Sequence, residues 1–415
     1  MACRAYSLFL LFPLAAYNPL MPQTQTHSDF FARTFSSLRH RDFRLLWTGN
    51  LVFDKTHSAW WLGLSGFVAG IPMLLFALVG GVLADRMNRW RLMFSVQLVS
   101  LVIALIYSLL LTADRLELWH ILTLSFIFGA SNAINVPVRQ AAVTTLVPRA
   151  DLINAISMHS VALNTMRIVG PSLAGLLIAY VGIVACYWIQ TGLYVLALVN
   201  VLQMKLPPQT SANRSVSPLR NLTDGLRYLF SEKTLFGIML LVSMPTIFAF
   251  PYQMMLPLFA QQILQVGPTG LGLLSAGVGI GALVTALLLA SAGNVQGKGQ
   301  KVAVFITLYG LSVALFSLSP WFPASLLALA GAGATWAVSS ALCQTLLQTQ
   351  SKPEYVGRLM SVYALTWGLQ PLGNLLIGNG AEFIGAPYAL GLGGLASAIG
   401  TLIVLWRLPQ IRKLS

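Results

Sequence analysis

Eleven long apolar runs constrain what this chain can fold into more than any other feature of its sequence. In the first half they lie near 59–83, 91–112, 118–147, 151–181 and 183–205, and in the second half near 234–260, 269–292, 302–319, 322–347, 357–379 and 384–406. A helix that crosses a bilayer needs about 20 mostly apolar residues, because hydrocarbon offers backbone polar groups no partners except each other. The runs therefore predict an all-α polytopic membrane protein with about 11 full spans.

The composition excludes most other classes of protein. Only 9% of the 415 residues are charged, against about 25% in a soluble domain. The net charge of +14 comes from short clusters between apolar runs, not from the continuous basic face that nucleic acid binding requires. Cys3, Cys186 and Cys343 are too scattered for a disulfide framework or a metal site. Catalytic clusters and phosphate-binding loops are also missing from the sequence, so neither an enzyme nor a cofactor is expected.

Basic residues are distributed unequally between alternate loops. Twenty lie in one set of loops, and only Lys55 and Arg115 lie in the other. Because basic loops stay in the cytoplasm, we expect the C-terminus and the segment 33–44 to be cytoplasmic, in the inner (plasma) membrane of a cell. We expect these basic residues to contact anionic lipids at the cytoplasmic face of the membrane. The twenty are Arg33, Arg39, Arg41, Arg44, Arg86, Arg89, Arg91, Arg149, Lys205, Arg214, Arg220, Arg227, Lys233, Lys298, Lys301, Lys352, Arg358, Arg407, Arg412 and Lys413.

A polar segment, residues 206–232, divides the apolar runs into two halves. The halves also echo each other, because Arg149 and Asp151 precede one span much as Lys352 and Glu354 precede another about 200 residues later. We therefore predict two pseudo-symmetric helical bundles. The expected organisation is an N-terminal extension (1–32), an N-terminal bundle (33–205), a cytoplasmic linker (206–233), a C-terminal bundle (234–406) and a cytoplasmic tail (407–415).

The segment 80–91, Gly-Gly-Val-Leu-Ala-Asp-Arg-Met-Asn-Arg-Trp-Arg, joins the first two apolar runs. The small Gly81 lets two helices approach closely, and Asp85 can accept hydrogen bonds from a neighbouring helix N-terminus or an arginine. We predict a conformational latch here; a merely basic cytoplasmic loop is the alternative. The latch residues are Gly81, Asp85, Arg86, Arg89 and Arg91. The segment resembles the loop between the second and third spans of major facilitator superfamily transporters.

Further stretches resemble one branch of that superfamily, the enterobactin exporters and macrolide efflux proteins. They are Leu-Arg-His-Arg-Asp-Phe-Arg-Leu-Leu-Trp (38–47), Asn-Val-Pro-Val-Arg-Gln-Ala (135–141), Leu-Val-Pro (146–148), Leu-Ile-Asn-Ala (152–155) and Arg-Ile-Val-Gly-Pro-Ser-Leu-Ala-Gly (167–175). The resemblance covers nearly everything between residues 33 and 410. It implies the major facilitator fold and secondary active efflux of a small amphipathic compound, a drug or a siderophore, by alternating access. It further implies a monomeric antiporter, with protons as a candidate coupling ion.

The chain departs from the family at its first span. Residues 45–53, the apolar stretch before Asp54, would extend about 14 Å as a helix, roughly half of the hydrocarbon thickness. We therefore expect most of a full first span, about twenty residues, to be missing. Residues 1–20 allow three interpretations: a start assigned too early, before Met21; a short anchoring helix; or a cleaved signal peptide. The truncation leaves an alternative function, a non-transporting or defective homologue that acts at most as a membrane scaffold.

Ionisable residues inside the spans are candidates for substrate binding or coupling, because a charge at that depth is costly. None of the eleven acidic residues falls in the middle of a run, which leaves proton coupling without an obvious carboxylate. The deep charges are Arg167, near mid-depth, and Arg139, closer to the cytoplasmic end of its span. Each could bind an anionic substrate or backbone carbonyls. The alternative is helix packing, with Asn164, Asn135 or Asn132 as hydrogen-bond partners.

A candidate hinge lies in the run 151–181. Proline removes a backbone donor and glycine permits close helix approach, so Gly170, Pro171 and Gly175 predict a bend; a Gly-Pro pair without a functional role is the alternative. This segment resembles the Gly/Pro motif in the fifth span of superfamily antiporters. Aromatic side chains near Phe250 and Trp336 are expected mostly to pack or face lipid, with some lining an apolar substrate cavity.

Overall fold

The computed structural model describes residues 49, 51–146, 152–204, 218–291 and 296–414, and all regular secondary structure in these ranges is helical. The helices are α1 (Ala59–Arg86), α2 (Arg89–Thr112), α3 (Leu118–Leu146), α4 (Leu152–Gln203), α5 (Pro218–Ser231), α6 (Lys233–Phe248), α7 (Tyr252–Leu258), α8 (Gly267–Ser291), α9 (Lys298–Leu318), α10 (Phe322–Gln350), α11 (Val356–Thr366), α12 (Gln370–Ile384) and α13 (Ala386–Arg407). A π-helical turn (Phe259–Ile263) extends α7, and a 3₁₀ turn (Trp367–Leu369) joins α11 to α12.

Within the described residues each predicted apolar run is largely helical. The runs 151–181 and 183–205 lie within α4, which consists of two helices that meet at a kink where Gly182 has a φ of 80° and a ψ of 163°. Glycine takes this conformation without steric cost, so the two predicted spans follow each other with no separate loop. Eight segments of the described chain are long and apolar enough to cross a membrane. The chain is therefore a multi-pass helical protein, while the total of about 11 full spans stays a prediction.

The surface of the helices matches a lipid environment. Large aliphatic side chains such as Leu287, Leu315 and Ile399 are exposed, as expected where hydrocarbon replaces water. We call the end that carries residues 113–117 and 319–321 the outer face and the opposite end the inner face, after the predicted orientation. Exposed aromatic side chains occur near both ends, as is typical of the two membrane–water interfaces. Trp119, Tyr180, Trp321 and Tyr388 lie near the outer face, and Phe230 and Trp406 lie near the inner face.

The same close helix pairing occurs in both halves. In the N-terminal half α1 packs along α3, and in the C-terminal half α8 packs along α10. Glycines make both approaches possible, because a β-carbon on Gly129 would collide with the Ala69 carbonyl oxygen, and one on Gly333 with the Val278 carbonyl oxygen. By their order in the chain α1 and α8 are equivalent helices of the two halves, so this repetition agrees with two pseudo-symmetric bundles.

Two seams join the halves: α1 packs against α12, and α4 packs against α8. At the outer face one cluster of buried apolar side chains runs through both halves. At the inner face the buried apolar residues among those described form separate clusters, each within one half. Members of the shared outer cluster are Leu62, Tyr107, Ile121, Phe259, Leu274 and Ile377. Among the described residues, the halves therefore share a buried apolar cluster at the outer face.

The predicted linker contains an amphipathic helix, α5, that docks on α11. Asp224 forms an ion pair with Arg358 at 3.5 Å, and the Tyr228 ring stacks on Tyr355 with centroids 4.3 Å apart. Gly225 packs so closely that an added β-carbon would lie 2.9 Å from the Arg358 carbonyl oxygen. The linker helix is thus held by the C-terminal half.

The region where a shortened first span is predicted contains a short helical stretch, residues 51–56. Leu51, Val52 and Phe53 are buried in the outer cluster, and Gly49 lies close to Met254 of α7. The rest of the lead-in segment and the N-terminal extension lie outside the described residues. The predicted truncation and the three interpretations of residues 1–20 therefore stay predictions.

Candidate functional site

The predicted latch spans the end of α1 and the start of α2. Gly81, Asp85 and Arg86 belong to the last turns of α1, and the side chains of Asp85 and Arg86 lie outside what the structure describes. Arg89 opens α2, and Arg91 is exposed two residues later. The predicted hydrogen bonds of Asp85 therefore stay untested.

Two features of this turn were not predicted. Asn88 caps α2, because its side-chain oxygen accepts hydrogen bonds from the backbone N–H groups of Trp90 at 2.9 Å and Arg91 at 3.3 Å. At the neighbouring Gly80 an added β-carbon would lie 2.5 Å from the Ala133 carbonyl oxygen of α3. The structure therefore shows a tight α1–α3 contact next to the predicted latch glycine, Gly81.

Arg139 lies on α3 and is partly exposed. Within the described part of the chain it makes no ion pair and donates to neither Asn132 nor Asn135, two of the three partners expected if it served packing; the side chain of the third, Asn164, lies outside the described set. With no acceptor among the described residues, its guanidinium could bind an anionic or carbonyl ligand. Arg139 thus stays a candidate for substrate binding or coupling.

The remaining predicted site residues belong to the first part of α4. Arg167 and Asn164 lie on helical backbone, but their side chains are outside the described set. The backbone is helical through Gly170, Pro171 and Gly175 as well, and the non-helical dihedrals in α4 occur at Gly182. The roles assigned to these residues, including the hinge, therefore stay predictions.

Five aromatic rings form a continuous cluster at mid-depth in the C-terminal half. Phe250 lies 5.5 Å from Trp336 and 5.4 Å from Trp367, and the two indoles meet edge to face at 5.9 Å. Tyr309 packs on Trp336 at 5.3 Å, and Tyr252 contacts Phe250. Phe250, Tyr252 and Tyr309 are buried, whereas both indoles are partly exposed. Part of each tryptophan surface is therefore left uncovered by the described protein.

This aromatic cluster lies where two helices are interrupted. The chain turns between α6 and α7 at residues 249–251, which include Phe250. The 3₁₀ turn that begins at Trp367 separates α11 from α12. Interrupted helices at mid-depth are typical of transporter binding sites, because they free backbone groups and shape a cavity. The neighbouring Gly368 abuts Leu74 of α1, which places the cluster beside the seam between the halves.

The outer part of the α1–α12 seam has nearly no space between the two backbones. A β-carbon on Gly63 would lie 2.5 Å from the Asn374 carbonyl oxygen and 2.7 Å from the Gly378 α-carbon. One on Gly378 would lie 2.6 Å from the Gly63 α-carbon. Asn374 itself packs on Gly66, where an added β-carbon would be 2.6 Å from Nδ2. The glycines therefore permit an approach that any other residue would prevent.

Polar contacts between the halves occur at the rim of this seam and beside it. The Glu382 carboxylate accepts a hydrogen bond from the Ser58 hydroxyl at 3.0 Å and one from the Trp60 backbone N–H at 3.3 Å, at the N-terminus of α1. The Gln261 side-chain N–H₂ donates to Asp54 at 2.8 Å. Each contact joins one half to the other, and a carboxylate at a helix N-terminus is electrostatically favourable.

Sequence reasoning kept Asp54 and Glu382 out of the middle of the apolar runs but did not pair them with the other half. It also missed Tyr309 and Trp367 as members of the aromatic cluster. One signal was available in the sequence: Gln370, Asn374, Gly378 and Glu382 recur every four residues and so share one face of a helix. No metal-ligand group occurs among the residues whose positions are described.

Comparison with known proteins agrees with this architecture. The family model for the transmembrane secretion effector matches residues 32–414. Macrolide efflux protein A of Streptococcus pyogenes is 25% identical over 366 residues, covering 87% of this chain and 90% of the relative. Enterobactin exporter EntS of Salmonella choleraesuis (strain SC-B67) is 29% identical over 364 residues, covering 86% of each chain.

Solved structures of transporters show the same fold at low sequence identity. The nucleoside transporter NupG superposes with a TM-score of 0.70 at 14% identity, covering 94% of this chain and all of the other (100%). A D-xylose-proton symporter superposes with a TM-score of 0.68 at 14% identity, covering 91% of this chain and 95% of the other. Because the family model spans both helical halves, the chain belongs to the transmembrane secretion effector family of major facilitator superfamily transporters.

Proposed function

We propose that this protein is a secondary transporter that exports a small amphipathic compound, a drug or a siderophore, by alternating access. The observation that carries the proposal is the match of the family model to residues 32–414, which include both helical halves. The described residues agree with it, because α1 packs against α12, α4 packs against α8, and one buried apolar cluster crosses between the halves at the outer face. Two bundles joined along such seams are suited to rock against each other.

The outward direction of transport is supported by the relatives. One is named a macrolide efflux protein and another an enterobactin exporter, and the matches run through 87% and 86% of this chain. The alternative, a non-transporting scaffold, is not favoured, because the family match includes both halves rather than one.

The substrate site we propose combines the aromatic cluster with deep basic residues. The partly exposed indoles of Trp336 and Trp367 offer apolar, polarisable surfaces to a ring or a macrocycle. Arg139 offers a guanidinium without a protein acceptor among the described residues, and Arg167 with Asn164 would add polar groups near mid-depth. An amphipathic compound needs both kinds of contact. Protons remain the candidate coupling ion.

We further propose that the protein is a monomer of the inner membrane with its C-terminus in the cytoplasm. Exposed basic residues at the inner face would contact anionic lipid headgroups. They are Arg91, Lys233, Lys301, Lys352, Arg407 and Arg412.

Accumulation of test compounds in cells with and without the protein tests this function. The panel is a macrolide, enterobactin and the dye ethidium, each measured with and without a protonophore. We expect expression to lower accumulation of at least one compound, and we expect the protonophore to abolish the difference. Equal accumulation of all three compounds in expressing and non-expressing cells would contradict the proposal.

A further inference from the structure

The outer part of the α1–α12 seam contains contacts that favour closure and one residue that opposes it. Gly63 and Gly378 bring the two backbones together, and Glu382 accepts two hydrogen bonds from the start of α1. Between these contacts and the aromatic cluster lies Asn374, which is 1% exposed. Neither its Oδ1 nor its Nδ2 atom has a hydrogen-bond partner in the described structure.

A buried amide without partners is costly, because the side chain has lost water and gained nothing in return. Asn374 packs on Gly66 of α1, where an added β-carbon would lie 2.6 Å from Nδ2, so its burial depends on the contact between α12 and α1. If the outer ends of the two halves separate, water reaches both amide atoms and the cost disappears. Asn374 therefore stabilises the separated arrangement relative to the closed one.

We propose that Gly63, Gly378 and Glu382 form an outer gate that holds the transporter closed to the outside, and that Asn374 is built into the gate to keep it openable. This inference rests on the proposed alternating-access function and assigns the residues that set its balance. Gly378 and Glu382 lie four residues apart on the face of α12 that also carries Asn374. One helix face thus contains both opposing elements.

Substitutions on this face of α12 should shift the ratio of outside-open to outside-closed molecules in opposite directions. Gly378→Ala adds a methyl group that cannot fit against Gly63, so the ratio of outside-open to outside-closed molecules should rise about tenfold. Glu382→Ala removes two hydrogen bonds at the exposed rim and should raise the same ratio about threefold. Asn374→Ala removes the unpartnered amide and should lower the ratio about fivefold.

Distance measurement across the outer face tests these signs without any substrate. Spin labels at Arg115→Cys and Pro320→Cys, two exposed positions in opposite halves, report the separation by double electron–electron resonance in lipid nanodiscs. The background carries Cys3→Ser, Cys186→Ala and Cys343→Ala. Gly192→Ala is the matched glycine control, because an added β-carbon there meets nothing within 4 Å; it should leave the distance distribution unchanged.

Asn374→Ala is measured on the Glu382→Ala background, so that an open population is present to be lowered. We expect longer distances in Gly378→Ala and Glu382→Ala, and a return to shorter ones when Asn374→Ala is added. If Gly378→Ala does not fold, the Glu382→Ala series alone decides. A distribution in Glu382→Ala that equals the unsubstituted protein, or one that lengthens when Asn374→Ala is added, would overturn the gate.

The distance measurement and the export assay test the gate and the proposed function independently. If no compound is exported but the distances respond as expected, the gate stands and the export proposal fails. If export is observed but the distances do not respond to these substitutions, the export proposal stands and the gate fails.

Discussion

Tyr228→Ala should release the linker helix α5 from the C-terminal half more effectively than the loss of its ion pair. The Tyr228 ring stacks on Tyr355 at 4.3 Å, and its hydroxyl oxygen accepts a hydrogen bond from the Lys352 backbone N–H at 3.2 Å. An aromatic pair contributes about 0.5–1.5 kcal/mol, and a hydrogen bond contributes a similar amount. Their sum, about 2 kcal/mol, corresponds to about a 30-fold change in the docking equilibrium.

The ion pair between Asp224 and Arg358 should matter less. Its atoms are 3.5 Å apart and its side chains are 32% and 31% exposed, so water and salt weaken the attraction. Such pairs contribute about 0.2–1 kcal/mol, so Asp224→Asn should loosen docking at most about fivefold. Arg358 also keeps its contact with the Tyr355 ring at 5.1 Å when the carboxylate is lost.

Hydrogen exchange of residues 218–231, followed by mass spectrometry in nanodiscs, measures both effects. Release of the helix exposes its amides, so the exchange rate of this peptide should rise about 30-fold in Tyr228→Ala and at most about fivefold in Asp224→Asn. Arg227→Ala, an exposed change on the same helix, is the control and should leave the rate unchanged. A larger effect of Asp224→Asn than of Tyr228→Ala would refute the ranking of stacking above ion pairing.

Three further predictions concern the latch, the deep charge and the paired helices. Asp85→Ala should lower export, because an acceptor for inter-helix hydrogen bonds is lost. The amount of protein in the membrane, measured by immunoblot, should stay constant. Unchanged export would show that the loop has no latch role. Arg167→Ala should abolish export of the identified compound, whereas Arg412→Ala, on the exposed tail, should not; equal export by the two variants would remove the binding role of Arg167. Gly281→Ala adds a methyl group against a backbone carbonyl of α10 and should lower the free energy of unfolding by about 1–3 kcal/mol. The midpoint of thermal unfolding should therefore fall, whereas the control Gly192→Ala should leave it unchanged.

Much of the fold was predictable because membrane helices follow local rules. Run length and hydropathy located the long apolar helices among the described residues, and the interruption between the runs 151–181 and 183–205 falls at Gly182, where the backbone leaves helical geometry. These features depend on residues close together in the chain, so one sequence is sufficient to find them.

The outer gate and the aromatic cluster depend instead on residues far apart in the chain. Ser58 and Glu382 are hydrogen-bonded across 324 positions, and nothing local to either residue identifies its partner. The four-residue spacing that contains Asn374 indicates a shared face but not the helix against which it packs. Trp367 joins Phe250 only because both helices are interrupted at the same depth. Such pairings arise from the packing of the two halves rather than from local pattern.

The size of the Asn374 penalty explains why a transporter would retain it. Each unsatisfied amide group costs about 1–3 kcal/mol, whereas moving a population from 1:99 to 99:1 takes about 5.5 kcal/mol. The close packing at Gly63 and Gly378, the shared apolar cluster and the contacts of Glu382 all favour closure at the outer face. Without an opposing term, these contacts would trap the protein in one conformation. A penalty of a few kcal/mol on the closed seam brings the two conformations close enough in free energy for a ligand or a coupling ion to shift the balance.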